Sequence, residues 1–296
     1  MPSTHLRVLR QIWTAPGNAH HRPLALLRAF RWFLTCHRAT SSDQPALIHR
    51  AFGDRLFPCY TDSIIAKHVR YRSEWFDHDL LHFMDSYLQP SDHFLDVGAN
   101  IGLHTLLAST RITSGTLTCV EPLPSNLQRL RHTLEINHLS RVTVLPVAAS
   151  DSAGKVHLTG TDVFTRIADA PPSAPDTVET VRLDQVLGTD AIVDFCKIDV
   201  EGAEWQVLRG LTGLIQRSAL PVFAFELNGS LHAYGHQETD FLAWIQDQGY
   251  QIATYQHDSR TLTFGTDSAA EANDLIALTP EGITRVKERM PTVVHR

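Results

Sequence analysis

The sequence predicts an α/β fold in which helices cover both faces of a mostly parallel β-sheet, and three observations support this prediction. Residues 93–109 contain a short apolar segment, a glycine-rich turn and an apolar helical segment, in that order. Strand-like segments at 116–120 and 142–147 follow, with a helical segment between them. A further apolar strand at 192–199 also turns into a helix. Strands that alternate with helices at this spacing form right-handed βαβ crossovers, which produce a parallel sheet.

The glycine-rich turn predicts a site for a nucleotide-like ligand, because glycine has no Cβ and lets backbone N–H groups approach a ligand closely. The turn contains Gly98 and Gly102, whereas the dinucleotide fingerprint has three glycines. Asp96 precedes the turn, and its carboxylate would repel a pyrophosphate. Glu121 ends the next strand, a position at which a carboxylate typically accepts hydrogen bonds from the hydroxyl groups of a ribose. Asp96 and Glu121 therefore favour an adenosyl cofactor without phosphates, such as S-adenosylmethionine.

Three segments resemble the signature blocks of the FkbM family of S-adenosylmethionine-dependent methyltransferases. They are Asp-Val-Gly-Ala-Asn-Ile-Gly-Leu-His-Thr at 96–105, Val-Glu-Pro-Leu-Pro-Ser-Asn at 120–126 and Lys-Ile-Asp-Val-Glu-Gly-Ala-Glu at 197–204. The third block is the most specific, and the first is shared with many methyltransferases. In order and spacing the resemblance covers roughly residues 55–280.

The resemblance implies a class I methyltransferase fold, which is Rossmann-like. Its sheet is expected to have seven strands in the order 3-2-1-4-5-7-6, with the last strand antiparallel and helices on both faces. The resemblance also implies O-methylation of a small-molecule acceptor, at a hydroxyl of a sugar, a glycolipid or a polyketide-type natural product.

The chain divides into four predicted parts. Residues 1–45 form a partly helical N-terminal appendage, and residues 46–90 form a hairpin followed by helices that cap the site. Residues 91–280 form the S-adenosylmethionine-binding methyltransferase domain, and residues 281–296 form a polar tail. The basic, amphipathic stretch at 24–35 predicts a helix that packs on the same chain or on a second subunit of a homo-oligomer. A helix at a membrane surface is the alternative.

Segments 63–72 and 75–88 are the predicted capping helices, with Tyr71 and Glu74 as candidates for the roof of the site. A proline-rich segment at 170–175 predicts a loop that gates the substrate.

Ligands of parallel α/β sheets lie at the carboxyl ends of the strands, so we expect the cofactor there. The segment Ala148 to Asp151 ends the third strand and resembles the family's adenine-contacting corner. The predicted cofactor-binding residues are Asp96, Gly98, Ala99, Asn100, Gly102, Glu121, Pro122, Ala148 and Asp151.

A second set of polar residues follows the fourth and fifth strands. Alternate residues of an extended strand share a face, so Lys197, Asp199 and Glu201 project to one side. Glu226 ends the next strand, and His232 follows it. Because unpaired buried charge is costly, this cluster favours a ligand, a metal ion or mutual pairing.

An alcohol acceptor loses a proton during methylation, and the candidate catalytic bases are Asp199, Glu201, Glu226 and His232. The three carboxylates are alternatively ligands of Mg²⁺, which would lower the acceptor's pKa by coordination. The chain has no D-x-x-x-x-D-H motif, which favours catalysis without a metal.

Composition excludes several classes of protein. The net charge of −6 argues against a nucleic-acid partner, because phosphate binding relies on a concentrated basic surface. The chain shows neither a signal-peptide pattern nor a transmembrane segment, which predicts a cytoplasmic protein. Two alternatives to a methyltransferase stay open. The first is an NAD-dependent oxidoreductase, which the missing third glycine of the dinucleotide fingerprint and the carboxylate of Asp96 disfavour. The second is a catalytically silent binding module.

Overall fold

The computed structural model describes residues 4–19, 21–38, 43–159, 166–168, 177–266 and 274–296. The proline-rich segment 170–175, predicted to be a loop over the site, lies outside the described residues. In the described part of the chain, no helix is long and apolar enough to cross a membrane.

A mixed β-sheet of nine strands forms the centre of the described fold. From one edge to the other its strands are β15 (Val294–His295), β13 (Thr261–Phe264), β12 (Gln251–Gln256), β14 (Asp274–Leu278), β11 (Val222–Glu226), β10 (Phe195–Ile198), β3 (His93–Val97), β4 (Thr116–Val120) and β5 (Thr143–Leu145). Strands β5, β4, β3, β10 and β11 run parallel to one another. Strand β14 runs antiparallel to both of its neighbours.

The seven predicted strands lie in the predicted order, β5-β4-β3-β10-β11-β14-β12, with the last of the seven in the chain, β14, antiparallel. The sheet nevertheless has nine strands rather than seven, because two further strands extend it beyond β12. Strand β13 returns from β12 as an antiparallel hairpin, and β15 pairs with the outer side of β13. Residues 281–296 do not form the predicted polar tail. They contain most of helix α11 (Pro280–Arg289) and strand β15, and Val286 and Met290 are buried in the core. These apolar side chains and the free edge of β13 bind the segment to the body.

Two smaller sheets flank the central one. Strands β1 (Leu47–Ala51) and β2 (Arg55–Cys59) form the predicted N-terminal hairpin. A second sheet has the strand order β6 (Ala148–Ala149), β9 (Thr177–Val181), β7 (Gly154–Thr159) and β8 (Arg166–Ala168). Strand β6 begins three residues after β5 ends, so this second sheet continues from the carboxyl end of β5.

The helices lie on both faces of the central sheet. Their bounds are α1 (Thr4–Thr14), α2 (Arg22–Arg38), α3 (Ile64–Arg72), α4 (His78–Tyr87), α5 (Leu103–Arg111), α6 (Pro124–Ile136), α7 (Leu183–Val186), α8 (Glu204–Arg209), α9 (Thr212–Gln216), α10 (Glu238–Asp247) and α11. Side chains alternate along the strands, so Leu95 packs into one apolar cluster with α8 to α10 and Phe94 into another with α4, α5 and α11. Both faces of the parallel strands are therefore buried.

Helix α4 packs on a face of the sheet, whereas the sequence predicts that it caps the carboxyl edge. Its aromatic residue Phe83 lies on the sheet face, with its ring centroid 5.9 Å from that of Phe195. Helix α3 lies nearer the carboxyl edge and contributes Ile65 to the cavity described below. Helices α1 and α2 pack on α3, where Arg28 Nε donates a hydrogen bond to the carbonyl of Arg70 over 2.9 Å. The N-terminal appendage is thus attached to the body through α3.

Candidate active site

The glycine-rich turn after β3 adopts a backbone that most residues avoid. Gly98, Asn100 and Gly102 have φ values of 79°, 50° and 89°. A Cβ on Gly98 would lie 1.8 Å from the carbonyl oxygen of Asp199, so only glycine lets this turn pack against the end of β10. The turn is therefore held directly beside the fourth strand of the predicted fold.

Glu121 connects this turn with the turn after β4. Its Oε2 accepts a hydrogen bond from the backbone N–H of Asn100 over 2.8 Å, and its Oε1 accepts one from the N–H of Leu123 over 2.9 Å. Burial raises the pKa of the Glu121 carboxyl to about 7, although the backbone donors oppose the shift. A carboxylate has about four positions at which it can accept a hydrogen bond, so Glu121 can still accept hydrogen bonds from the hydroxyl groups of a ligand.

A cavity opens beside these two turns, at the carboxyl ends of β3, β4 and β10. Six of the predicted cofactor-binding residues line it: Gly98, Ala99, Asn100, Glu121, Pro122 and Ala148. We call the segments 98–102 and 121–123 the cofactor side of the cavity. Ala148 comes from β6, so the second sheet closes the cavity on this side.

The remaining three predicted cofactor-binding residues do not line the cavity. Asp96 is buried under the turn, where its Oδ2 accepts a hydrogen bond from Thr105 Oγ1 over 2.6 Å. Gly102 packs against Leu130, since a Cβ there would lie 2.7 Å from the leucine side chain. Asp151 turns away, with its Oδ2 3.7 Å from Arg209 Nε. Asp96 keeps one buried oxygen, Oδ1, that has no hydrogen-bond partner in the described structure.

Lys197 and Asp199 form an ion pair at the end of β10. Lys197 Nζ lies 3.0 Å from Asp199 Oδ2 and 3.9 Å from Asp96 Oδ1. Burial would lower the pKa of Lys197, but the two carboxylates outweigh burial and raise it. Desolvation would raise the pKa of Asp199, but the Lys197 ammonium outweighs it and lowers the pKa. Both groups are therefore charged at neutral pH.

The turn after β10 brings further carboxylates to the same place. Glu204 is buried, and its Oε1 accepts hydrogen bonds from the N–H groups of Val200 and Gly202 over 3.2 and 3.1 Å. This arrangement holds Glu201 at a positive φ of 53°. Carboxylate oxygens of Asp199, Glu201 and Glu226 lie within 4.8 Å of one another. The structure therefore assembles three of the four predicted catalytic residues.

Glu226 differs from Asp199 in its protonation. Desolvation and the neighbouring carboxylates of Asp199, Asp274 and Glu201 raise the pKa of Glu226 to about 9. Protonated Glu226 hydrogen-bonds to the Asp199 carboxylate, which contributes to the lowered pKa of Asp199. Because two adjacent carboxyl groups resist double ionisation, the pair shares one proton at neutral pH.

His232, the fourth predicted catalytic residue, is exposed on a 3₁₀ turn at Ser230–Tyr234. It is not among the residues that line the cavity, whereas Tyr234 from the same turn is. Predicted roof residues Tyr71 and Glu74 do not line the cavity either. Glu74 instead places its Oε2 3.1 Å from His49 Nε2.

Three residues that the sequence did not indicate join the cluster: Asp77, His104 and Asp274. His104 lines the cavity, and its Nε2 lies 2.9 Å from Asp77 Oδ2. Burial and nearby Lys197 lower the pKa of His104 to about 4. Asp77 and Asp274 hydrogen-bond to each other, and burial raises the pKa of both, that of Asp77 to about 6. We call Asp77, His104, Lys197, Asp199, Glu226 and Asp274 the acceptor side.

Local sequence carries little signal for these residues. His104 lies inside the first signature block, between Leu103 and Thr105, in a segment that predicts an apolar helix. Asp77 precedes α4, and Asp274 begins β14 directly opposite Glu226 in the antiparallel register. Only the pairing of β14 with β11 brings Asp274 to the site, because 47 residues separate it from Glu226 in the chain.

Two clusters in the described structure have the composition of a metal site. Asp199, Glu201 and Glu226 form the first, but the Lys197 ammonium and the Glu226 proton already neutralise much of its charge. His78, His82 and His257 form the second. The rings of His82 and His257 stack at a centroid distance of 3.6 Å and an interplanar angle of 10°. Stacked rings direct their nitrogen lone pairs in parallel rather than toward one ion.

Comparison with known proteins identifies the family. A family model described as the methyltransferase FkbM domain matches residues 96–252, which is more than half of the chain. The hexuronic acid methyltransferase AglP of Haloferax volcanii is 26% identical over 145 residues, covering 47% of this chain and 58% of that protein. Methyltransferase 1 of Beauveria bassiana is 26% identical over 148 residues, covering 41% of this chain and 59% of that protein. The chain thus spans less than two thirds of either relative.

Among solved structures, that of methyltransferase FkbM from Methylobacillus flagellatus KT matches this chain. It is 16% identical with a TM-score of 0.43, and the match covers 86% of this chain and 59% of that chain. The three signature blocks at 96–105, 120–126 and 197–204 all lie inside the segment that the family model matches. The chain belongs to the FkbM methyltransferase family.

Proposed function

We propose that the chain is an S-adenosylmethionine-dependent O-methyltransferase whose acceptor is a small molecule with sugar-like hydroxyl groups. One observation carries the proposal: a single cavity is lined both by Glu121 of the cofactor side and by His104, Lys197 and Asp199 of the acceptor side. Glu226 is hydrogen-bonded to Asp199. Such a cavity brings a ribose-binding carboxylate and a proton-accepting group to opposite parts of one site.

The residues present fit the cofactor. Glu121 has free acceptor positions for the ribose hydroxyls, and Pro122 and Ala148 offer apolar contacts for the adenine. Asp96 and Asp199 together carry one negative charge more than Lys197 compensates, and this net negative charge suits a ligand with a cationic amino-acid end. When bound, S-adenosylmethionine supplies the methyl group from its sulfonium.

The acceptor side would hold and deprotonate the hydroxyl. Positioning supplies much of the acceleration in a transfer of this kind, and the carboxyl and imidazole groups at the cavity wall can orient several hydroxyls. The Asp199–Glu226 pair shares one proton and leaves a carboxylate oxygen as the acceptor of a second. Lys197 keeps Asp199 ionised through their 3.0 Å contact. The hydroxyl proton would pass to this pair, and no metal ion is required for that step.

Charge limits the class of acceptor. Several carboxylates surround Lys197, so an acceptor with its own negative charge near the reacting hydroxyl would be repelled, whereas a neutral polyol would be held by hydrogen bonds. The Haloferax relative is named for a hexuronic acid, a sugar acid that offers ring hydroxyls. This name supports a sugar ring as the acceptor, whereas the charge of the site favours a neutral sugar over a sugar acid. Glycolipids and polyketide alcohols are further acceptors to test.

Calorimetry with S-adenosylmethionine, S-adenosylhomocysteine and NAD tests the cofactor. We expect both adenosyl ligands to bind and NAD not to bind. Glu135→Gln, at an exposed position on α6, is the matched control for Glu121→Gln. Binding of NAD alone would favour the oxidoreductase, and binding of none of the three would favour the silent module.

Methyl transfer is then measured with a panel of sugar nucleotides, glycolipids and polyketide alcohols, with and without EDTA. We expect turnover with a sugar-containing acceptor and the same rate in EDTA. A rate that EDTA abolishes and Mg²⁺ restores would replace the carboxylate base by a metal site at Asp199, Glu201 and Glu226.

A further inference from the structure

Helices α1 and α2 carry most of the exposed large apolar residues of the described chain. Ten large apolar residues of the described chain are exposed, and six of them lie on these two helices: Leu9, Trp13, Leu24, Leu27, Phe30 and Phe33. Phe30 is 58% exposed. An apolar surface concentrated in this way marks an interaction site, whereas single exposed apolar residues need no explanation.

Helix α2 is apolar on two opposite sides. Ala25, Ala29 and Trp32 are buried, and their spacing places them on one side of the helix, toward the body. Leu27 and Phe30 lie on the other side and are exposed. A surface helix of a globular protein has polar residues on its outward side. The outward side of α2 therefore has the composition of a surface that is covered by something else.

The same segment is strongly basic. Residues 1–42 contain six arginines and neither lysine nor an acidic residue, so they carry a formal charge of +6 while the whole chain carries −6. Arg10, Arg22, Arg31 and Arg38 are exposed. The Arg22 guanidinium lies 5.6 Å from the centroid of the Trp13 ring, which connects the two helices on this surface. The covering partner is therefore apolar and negatively charged.

We propose that this surface, defined by Leu9, Trp13, Leu24, Leu27, Phe30 and Phe33, binds the surface of an anionic phospholipid bilayer. Aromatic and leucine side chains enter the boundary between headgroups and acyl chains, and arginines contact the anionic headgroups. The opposite side of α2 is packed on the body, with Arg28 bonded to the carbonyl of Arg70. The helices therefore lie along the bilayer and do not insert across it.

A second copy of the chain fits this surface less well. A two-fold symmetric contact places the same surface of both copies face to face. The arginines of one copy would then oppose those of the other, and like charges in contact are unfavourable. An anionic bilayer satisfies both the apolar and the basic side chains.

Co-sedimentation with vesicles tests the proposal, without cofactor, so that the result is independent of methyl transfer. The probes are phosphatidylcholine vesicles with and without about 30 mol% phosphatidylglycerol. We expect binding to the anionic vesicles to exceed binding to phosphatidylcholine by about tenfold, and to fall at high salt as headgroup charges are screened. Absence of binding to the anionic vesicles would overturn the proposal.

The double variant Leu27→Ser/Phe30→Ser removes two apolar side chains that the body does not cover, and it should reduce vesicle binding by about tenfold or more. The control is Ile48→Ser/Ile192→Ser, at residues 45% and 56% exposed elsewhere on the chain, and it should bind as the wild type does. Circular dichroism and urea denaturation verify that both variants fold. Wild-type binding by Leu27→Ser/Phe30→Ser would overturn the proposal. So would a wild-type dimer, seen by light scattering, that this variant converts to a monomer.

Discussion

The cofactor side of the cavity is built from two segments, 98–102 and 121–123, that follow the neighbouring strands β3 and β4, whereas the acceptor side is assembled from five separate segments. On the cofactor side, backbone hydrogen bonds define the geometry: Gly98 and Ala99 donate to the carbonyl of Val120 over 2.9 and 3.1 Å. On the acceptor side, side-chain charges define it, since Lys197 contacts Asp199 and the carboxyl groups share protons.

Because of this difference, we expect substitutions on the two sides to affect different properties, cofactor affinity on one side and the rate of methyl transfer or the stability on the other. Glu121 is the one titratable residue in the two cofactor-side segments, and its carboxylate accepts hydrogen bonds from backbone N–H groups, so a change there is expected to alter affinity. The acceptor side behaves as one coupled set, in which the charge of Asp199 helps to set the protonation of Glu226 and Asp274. A change there is expected to alter protonation at several residues, and with it the rate or the stability.

The largest effect is expected for Asp199→Asn. Asparagine nearly preserves the shape of the side chain, but it has no carboxylate that can accept the proton of the acceptor hydroxyl. The rate of methyl transfer should fall by about 10²- to 10⁴-fold, while the affinity for S-adenosylmethionine, measured by calorimetry, changes far less. Glu288→Gln, at an exposed position on α11, is the control. A variant that keeps its rate but loses affinity would break the division between the two sides.

A large loss of stability is expected for Lys197→Met. Methionine cannot compensate the Asp199 and Asp96 carboxylates, and Asp96 is fully buried. The free energy of unfolding should fall by about 3 kcal/mol, at the lower end of the range for a broken buried ion pair because Asp199 is only half buried. Urea denaturation measures it, with Lys155→Met on the exposed side of β7 as the control. Partial recovery in Lys197→Met/Asp199→Asn would attribute the loss to uncompensated charge.

A smaller effect, confined to binding, is expected for Glu121→Gln. One of its two backbone partners, Asn100 or Leu123, would face an amide donor instead of an acceptor. Affinity for S-adenosylmethionine should weaken by about 1.5–3 kcal/mol. Turnover at saturating cofactor should remain that of the wild type. A loss of turnover that excess cofactor cannot restore would show that the cofactor side also takes part in the chemistry.

The smallest effect is expected for His104→Gln, and it concerns how the free energy of unfolding depends on pH. The pKa of His104 is lowered to about 4 by burial and by Lys197, so between about pH 6.5 and pH 4 the unfolded chain binds a proton that the folded chain does not. The contribution of His104 is present above about pH 6.5 and is lost as the pH falls. His104→Gln should therefore reduce the loss of stability between about pH 7 and pH 5 by about 1–2 kcal/mol. His21→Gln, at an exposed residue, should leave the slope unchanged.

The parts of the site that sequence reasoning anticipated are those with short-range causes. Gly98 and Glu121 lie at the ends of neighbouring parallel strands, and their spacing in the chain is the length of one strand–helix–strand unit. Lys197 and Asp199 share a side because extended residues alternate. The assignment of Asp151 rests on the resemblance of segment 148–151 to the family's adenine-contacting corner, and that of His232 on its position after a strand. Neither residue lines the cavity.

The sequence alone determined the order of strands and helices, the glycine turn and the identity of the family, because these depend on local periodicity, on the backbone freedom of glycine and on motifs contiguous in the chain. Only the tertiary structure decided that residues 281–296 pack on the body and add a strand to the sheet. It also decided that the Glu226 carboxyl lies beside those of Asp199 and Asp274. Asp77 and Asp274 are ordinary surface-type residues in the sequence, and they become a carboxyl pair only when β14 pairs antiparallel with β11 and α4 packs nearby. Protonation depends on the distances between charges and on their burial, and neither can be read from spacing along the chain.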